Sequence, residues 1–166
     1  MRSKEQWVKD LDLQAHPEGG YYKETYRSDN QIELSSIFTD RSGKRNLSTG
    51  IYFLLDSISF SAFHRIQSDE MWHFYDGDSL LVHCISPEGD YHCQRVGRKL
   101  DKGDVLQFVV KAGTWFASEV EEGGDYSLVG CTVSYGFDFQ DFELAGPSLM
   151  KTYPNEAALI QRLIRA

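Results

Sequence analysis

Apolar and polar side chains alternate along the chain from about residue 21 to residue 133. Nine segments carry the pattern: YYKETYRS, STGIYFLL, FSAFHRI, DEMWHFY, SLLVHCI, YHCQRV, VLQFVV, TWFASEV and YSLVGCTV. They are short, rich in Val, Ile, Thr, Tyr and Phe, and separated by the turn signals DGD, PEGD, DKGD and EEGGD, so each predicts a strand. Short strands at regular spacing with Gly-Asp corners predict an all-β closed barrel or double-sheet jelly roll. The period changes at both ends. Ser3 and Gln6 form a capping box, and Trp7, Val8 and Leu11 share one face of a helix over about 3–12, which HPEGG at 16–20 terminates. Pro154-Asn155 opens a second helix over about 154–165, striped by Leu159, Ile160, Leu163 and Ile164. No long linker or low-complexity tract interrupts residues 1–166, which predicts one domain with its barrel over about 20–146.

Charge narrows the partners. A net charge of −8 disfavours nucleic acid and anionic membrane surfaces, which require clustered Lys and Arg. The basic run DRSGKR at 40–45 is short and broken by Gly, and reads as a surface loop. No apolar run approaches membrane length, and MRSKEQWVKDL is too charged for the core of a signal peptide, so a soluble cytoplasmic protein is expected. Cys84, Cys93 and Cys131 make no CxxC pair. A two-residue turn in PEGD at 87–90 would set Cys84 opposite Cys93, as two reduced thiols in such a compartment, and His83 diagonal to His92 on one face.

Candidate chemistry concentrates in FHRIQSDEMWHFYDGD at 63–78. Alternation puts Glu70, Trp72 and Phe74 on one face of DEMWHFY, with Met71, His73 and Tyr75 on the other. His64 projects from the preceding strand, and the tight connection between the two lets it share a cavity with Glu70. A carboxylate beside an imidazole orients the ring, raises its basicity or joins it on a metal.

The same stretch resembles the first motif of the cupin superfamily, with His64, Ile66, Glu70 and Gly77 at its spacings. GDVLQFVVKAGTWF at 103–116 resembles the second motif, with Lys111 for its proline, Gly113 matched and Phe116 in place of its histidine. HPEGGYYKETYRS, IYFLL, HRIQSDEMWHFYDGD, VVKAGTW and LVGCTVSYGFDFQDFELA are similar to successive signatures of a small-barrel cupin branch classed as a domain of unknown function. The resemblance implies a double-stranded β-helix, commonly dimeric, with a pocket in its mouth. Cupins include metal-dependent dioxygenases, metal-free sugar-nucleotide epimerases and proteins that only bind, so the fold leaves the activity open.

Three readings follow. In the preferred one, His64 and Glu70 are catalytic in isomerase- or epimerase-like chemistry on a sugar-like small molecule, with Tyr75 or Tyr22 returning a proton. In the second, they are a hydrogen-bonded pair in a non-catalytic ligand pocket. In the third, they ligate a divalent metal in an oxygenase, with two ligands where such sites take three or more. Trp72 and Trp115, on strands expected to line the barrel, are candidates to stack on the ligand. Tyr22, Glu24 and Arg27 lie on a strand that either enters the pocket or pairs across a homodimer, with Arg27 available to an anionic group. SYGFDFQDFELAG at 134–146 reads as a closing flap that brings Phe137 to the mouth.

Overall fold

A computed structural model describes residues 2–165. All nine expected strands form. In chain order the strands are β1 Gln14–Ala15, β2 Tyr21–Arg27, β3 Gln31–Glu33, β4 Lys44–Asn46, β5 Thr49–Asp56, β6 Phe60–Arg65, β7 Asp69–Gly77, β8 Leu80–Ile85, β9 Tyr91–Val96, β10 Gln107–Val110, β11 Trp115–Val120, β12 Tyr126–Ser134 and β13 Glu143–Leu144. The helices are α1 Lys4–Asp10, α2 Leu149–Thr152 and α3 Ala157–Arg162. A six-stranded sheet ordered β1-β2-β5-β12-β7-β10 faces a five-stranded sheet ordered β13-β6-β11-β8-β9. This is the expected jelly-roll barrel.

Period-2 alternation divides each strand between interior and exterior. On β5, Phe53 and Leu55 point into the barrel and pack with Trp72, Val82, Phe116 and Val129. Thr49 and Ile51 share that face nearer one end, where they line a cavity instead. The barrel is therefore packed at one end and hollow at the other. On the outside, α1 seats Trp7, Val8 and Leu11 against Leu54, Tyr126 and Leu128. Its capping box is present as expected. The C-terminal segment lays Leu149, Ile160 and Leu163 on Phe63, Ile85, Trp115 and Ala117 of the five-stranded sheet. Each such side chain removed from water contributes about 2 kcal/mol. The C-terminal element begins earlier than expected, with α2, and its Pro154–Glu156 turn is 3-10 rather than α.

Three expectations fail locally. The β8–β9 connection is a three-residue loop, with Ser86 N–H bonded to Asp90 O, Gly89 N–H to Ser86 O, and Gly89 at φ +93°. That extra residue slips the register by one, so Cys84 faces His92 and Cys93 faces His83. Adjacent residues alternate faces, which places Cys84 and Cys93 on opposite sides of the hairpin and separates His83 from His92 as well. DRSGKR is not wholly loop: Lys44–Asn46 pairs with β3, and Arg45 is buried with its guanidinium on Asp141 at 2.7 and 2.9 Å. Lys111, where the second cupin motif has proline, is held in its turn by Asp69, which binds both its ammonium group and the Ala112 N–H.

Candidate functional site

The hollow end encloses a cavity of about 550 Å³, lined among others by Tyr22, Glu24, Arg27, His64, Glu70 and Phe137, six residues expected from sequence. This volume suits a small metabolite. Arg27 arrives by a β-bulge. The register of β2 on β5 shifts between Glu24 and Tyr26, so the extra residue returns Arg27 to the face of Glu24, against simple alternation. Its guanidinium is already engaged: Nε and Nη2 donate to Glu24 at 3.1 and 2.6 Å, and Nη1 donates to Asn46 Oδ1 and the Phe137 carbonyl. It ties the flap to β2.

The floor is built by a second bulge. The pairing of β6 with β11 shifts between Phe116–His64 and Ser118–Ser61, which frees backbone groups at Ala62 and Phe63. Ala62 N–H donates to the Glu18 carbonyl at 3.0 Å, and Ala62 O accepts from His64 Nδ1 at 2.7 Å. One residue thus fixes both the HPEGG loop and the imidazole. Gly19 and Gly20, at φ +114° and +76°, let that loop lie against the strands; a Cβ at Gly19 would sit 2.0 Å from Phe60 O. Arg165 holds the loop from outside by donating to the Glu18 and Phe60 carbonyls.

The carboxylate in direct contact with His64 is Glu18, not the expected Glu70. His64 Nε2 stands 3.3 Å from Glu18 Oε2. Because Nδ1 carries the proton given to Ala62 O, the neutral ring presents a lone pair at Nε2. Glu18 Oε2 is buried and makes no hydrogen bond among the described residues. Burial pushes Glu18 and Glu70 each up to about 7, with the charge of Glu18 adding to the rise of Glu70. His64 lies between Phe116 and Phe142, ring centroids 4.1 and 5.4 Å away, and burial lowers its pKa. Glu70 reaches His64 through its charge and hydrogen-bonds the Cys131 thiol. The floor is a neutral base beside two carboxyls that burial keeps close to their protonation midpoint at neutral pH.

His16 and Glu18 were missed. HPEGG reads as a helix terminator, and nothing local marks its His16 and Glu18 as pocket residues; the loop folds back and brings both to the cavity. Glu18 N–H donates to His16 Nδ1 at 3.2 Å, leaving the His16 proton on Nε2.

Other candidates lie elsewhere. Tyr75 is 52% exposed on the outer face, where it covers Gly130, so it does not reach the cavity. Trp115 also points outward, beneath the C-terminal helices, with Arg65 4.6 Å above its ring; only Phe116, Ser118 and Val120 of β11 can face in. Trp72 does face inward but is 2% exposed in the packed end, edge-on to Phe53 and Phe116. His73 is on the outer face, bonded to Thr132 Oγ1 at 2.8 Å. β7 contains a bulge at Tyr75, beyond His73, which leaves that facing unchanged.

The cupin positions held here by Ile66 and Phe116 offer no ligand atom, and among the described residues no three His, Cys, Asp or Glu side chains converge to hold an ion. The residues present do not fit a metal centre.

Comparison with known proteins places this geometry. Residues 5–145 match the family model described as Cupin superfamily (DUF985). The uncharacterized protein YML079W of Saccharomyces cerevisiae is 35% identical over 148 residues, 84% of this chain and 73% of the yeast protein. The crystal structure of protein SO0799 from Shewanella oneidensis superposes with a TM-score of 0.89 at 40% identity, covering 99% of each chain. A hypothetical protein from Leishmania major gives 0.90 at 36% identity, over 99% of this chain and 100% of that one. Oxalate decarboxylase from Bacillus subtilis, at 13% identity and a TM-score of 0.55, covers 93% of this chain and 35% of its own, and shares the fold alone. Among the described residues no helix is long and apolar enough to cross a membrane.

Proposed function

The chain belongs to the DUF985 family of the cupin superfamily, and from that premise we propose that it binds a small polar metabolite in the barrel and moves a proton at a carbon beside a carbonyl, as isomerases and epimerases do. The observation that carries this reading is the buried lone pair of His64 Nε2, 3.3 Å from a carboxyl that burial holds near pKa 7. Catalysis of this kind needs a base and an acid that coexist uncharged at neutral pH. His64 Nε2 takes the proton as the carbon–hydrogen bond breaks. A neutral carboxyl, Glu18 or Glu70, gives its proton to the carbonyl oxygen, and an enediol forms. Reversal at the neighbouring carbon, or on the other face, returns both protons. Tyr22 borders the cavity and packs edge-on to His16 at 4.6 Å, which holds the loop side of the floor.

The test is deuterium wash-in. Keto-sugars incubated with the protein in heavy water gain deuterium beside the carbonyl, followed by NMR. His64→Gln lowers the rate roughly 100-fold or more, within the usual worth of a positioned base. Tight ligand binding with no wash-in by the native protein identifies a binding protein instead and overturns the catalytic reading.

A further inference from the structure

The charge of the ligand can be argued from the same cavity, a step that rests on reading it as a metabolite site. Four carboxyl side chains line it, Glu18, Glu24, Glu70 and Asp138, against one guanidinium. That guanidinium, Arg27, spends four of its N–H bonds on Glu24, Asn46 and the Phe137 carbonyl. A phosphate or carboxylate entering here would have to break those bonds and then lie among carboxyl groups. The floor has the opposite shortage. Glu18, 8% exposed, holds an Oε2 with no hydrogen-bond partner, and the His64 Nε2 lone pair lies 3.3 Å away. With Glu18 ionised, two acceptors face each other with no donor between them.

An ammonium group answers that need, with three N–H donors and a positive charge. The mouth suits such a ligand too. Phe137, Phe139 and Phe142 stand edge-to-face, centroids 4.9 to 6.2 Å apart, and Phe139 is 58% exposed. Their ring faces attract cations and the C–H faces of sugars, and offer nothing to an anion. We infer that the cavity takes a small hydroxylated ligand whose protonated amine seats between Glu18 and His64, and that it rejects phosphorylated and carboxylated counterparts.

Four probes differing in one substituent test this by calorimetry at low salt: D-glucosamine, D-glucose, D-glucose 6-phosphate and D-glucuronate. Glucosamine is expected to bind roughly tenfold tighter than glucose, the worth of one charge-assisted hydrogen bond, with both anions weakest. Glu18→Gln removes the preference for the amine. Glu24→Gln releases Arg27 and raises glucose 6-phosphate affinity severalfold, a gain that misfolding cannot imitate. Equal binding of glucosamine and glucose, tighter binding of either anion, binding of none of the four, or a Glu24→Gln variant with no gain overturns the inference. Turnover is not needed for any of these readings. Amine preference without deuterium wash-in sinks only the catalytic proposal, whereas wash-in on an anionic ketose without amine preference sinks only this one.

Discussion

Two histidine–glutamate contacts of nearly equal length lie on opposite faces of the five-stranded sheet. In the cavity, His64 Nε2 and Glu18 Oε2 are 3.3 Å apart; beneath the C-terminal helix, His83 Nε2 and Glu119 Oε1 are 3.1 Å apart. Their protonation is opposite. Burial lowers His64 and lifts Glu18 to about 7. Burial also acts against the charge on His83, but hydrogen bonds with Cys93 and Glu119 outweigh it and push the imidazole up to about 9. The His83 hydrogen bond, with help from Arg162, brings Glu119 down to about 2.

The difference is one of supporting donors. Arg162 Nη2 donates to Glu119 Oε1 at 2.8 Å and Nη1 to the other oxygen, while His83 Nδ1 meets Tyr91 OH at 2.9 Å. Every strong acceptor there has a donor, so the charges persist. At Glu18, Oε2 has none, and Arg165 spends its guanidinium on backbone carbonyls. The two residue types therefore define no chemistry by themselves. An ionised, saturated pair outside the barrel clamps α3 to the sheet; inside it, a neutral imidazole and a carboxyl near its protonation midpoint are left for a ligand.

Glu119→Gln strikes the clamp hardest and should give the largest change in stability. It leaves the His83 imidazolium and Arg162 without their anion, at an expected cost of about 3 kcal/mol at pH 6, read as a fall in the urea midpoint. The pH window follows from the two shifts. The raised pKa of His83 contributes stability that is complete below its ordinary 6.5 and lost as pH rises through about 9. The lowered pKa of Glu119 contributes stability that is present above its ordinary 4.5 and lost as pH falls through about 2. A loss under 1 kcal/mol at pH 6 would show that the outer pair is not a clamp and erase the contrast.

Glu18→Gln should move stability the other way. A carboxyl whose folded pKa is raised from 4.5 to about 7 favours the fold most below 4.5 and withdraws that support as pH rises through 7. The amide escapes this loss. Relative to the native protein, the variant is expected to be about 1–2 kcal/mol more stable at pH 8 and little different at pH 5, by denaturation at both values. Destabilisation that is equal at the two pH values would mean that Glu18 is ionised and paired like Glu119.

How far these pairs were legible in the sequence depended on the range of the signal. Alternation is local, and it located all nine strands and set Glu70 inside, while the facing of His73 stayed open to a bulge that only the register of β7 shows to lie beyond it. Registers depend on turns and bulges, and there the reading failed. One extra loop residue at 87–89 separated Cys84 from Cys93, and a bulge at Thr25 reversed the face of Arg27. Trp115 was a failure of consistency, since Phe116 occupies the inward cupin position and adjacent residues cannot both face in. Glu18 lay beyond local reasoning. Its role comes from a loop folded back over β6 by Gly19 and Gly20, 46 residues before its histidine in sequence (64 minus 18).

The smallest effect concerns the cysteine beside the outer pair. Cys93 hydrogen-bonds His83 and Tyr91, yet the imidazole keeps Glu119 and Tyr91 without it. A serine there retains a donor and an acceptor close to the same ring. Cys93→Ser is accordingly expected to change stability by no more than about 0.5 kcal/mol, because a hydrogen bond replaced in kind leaves only the difference between sulfur and oxygen. The native protein treated with diamide should form no Cys84–Cys93 crosslink by mass spectrometry, since Cys84 is buried on the inner face and Cys93 sits on the outer one. A crosslink would restore the two-residue turn and move His83 off Cys93. A loss above 1 kcal/mol in the serine variant would instead make the thiol a member of the clamp, and the outer pair would then owe its charge to sulfur as well as to Arg162.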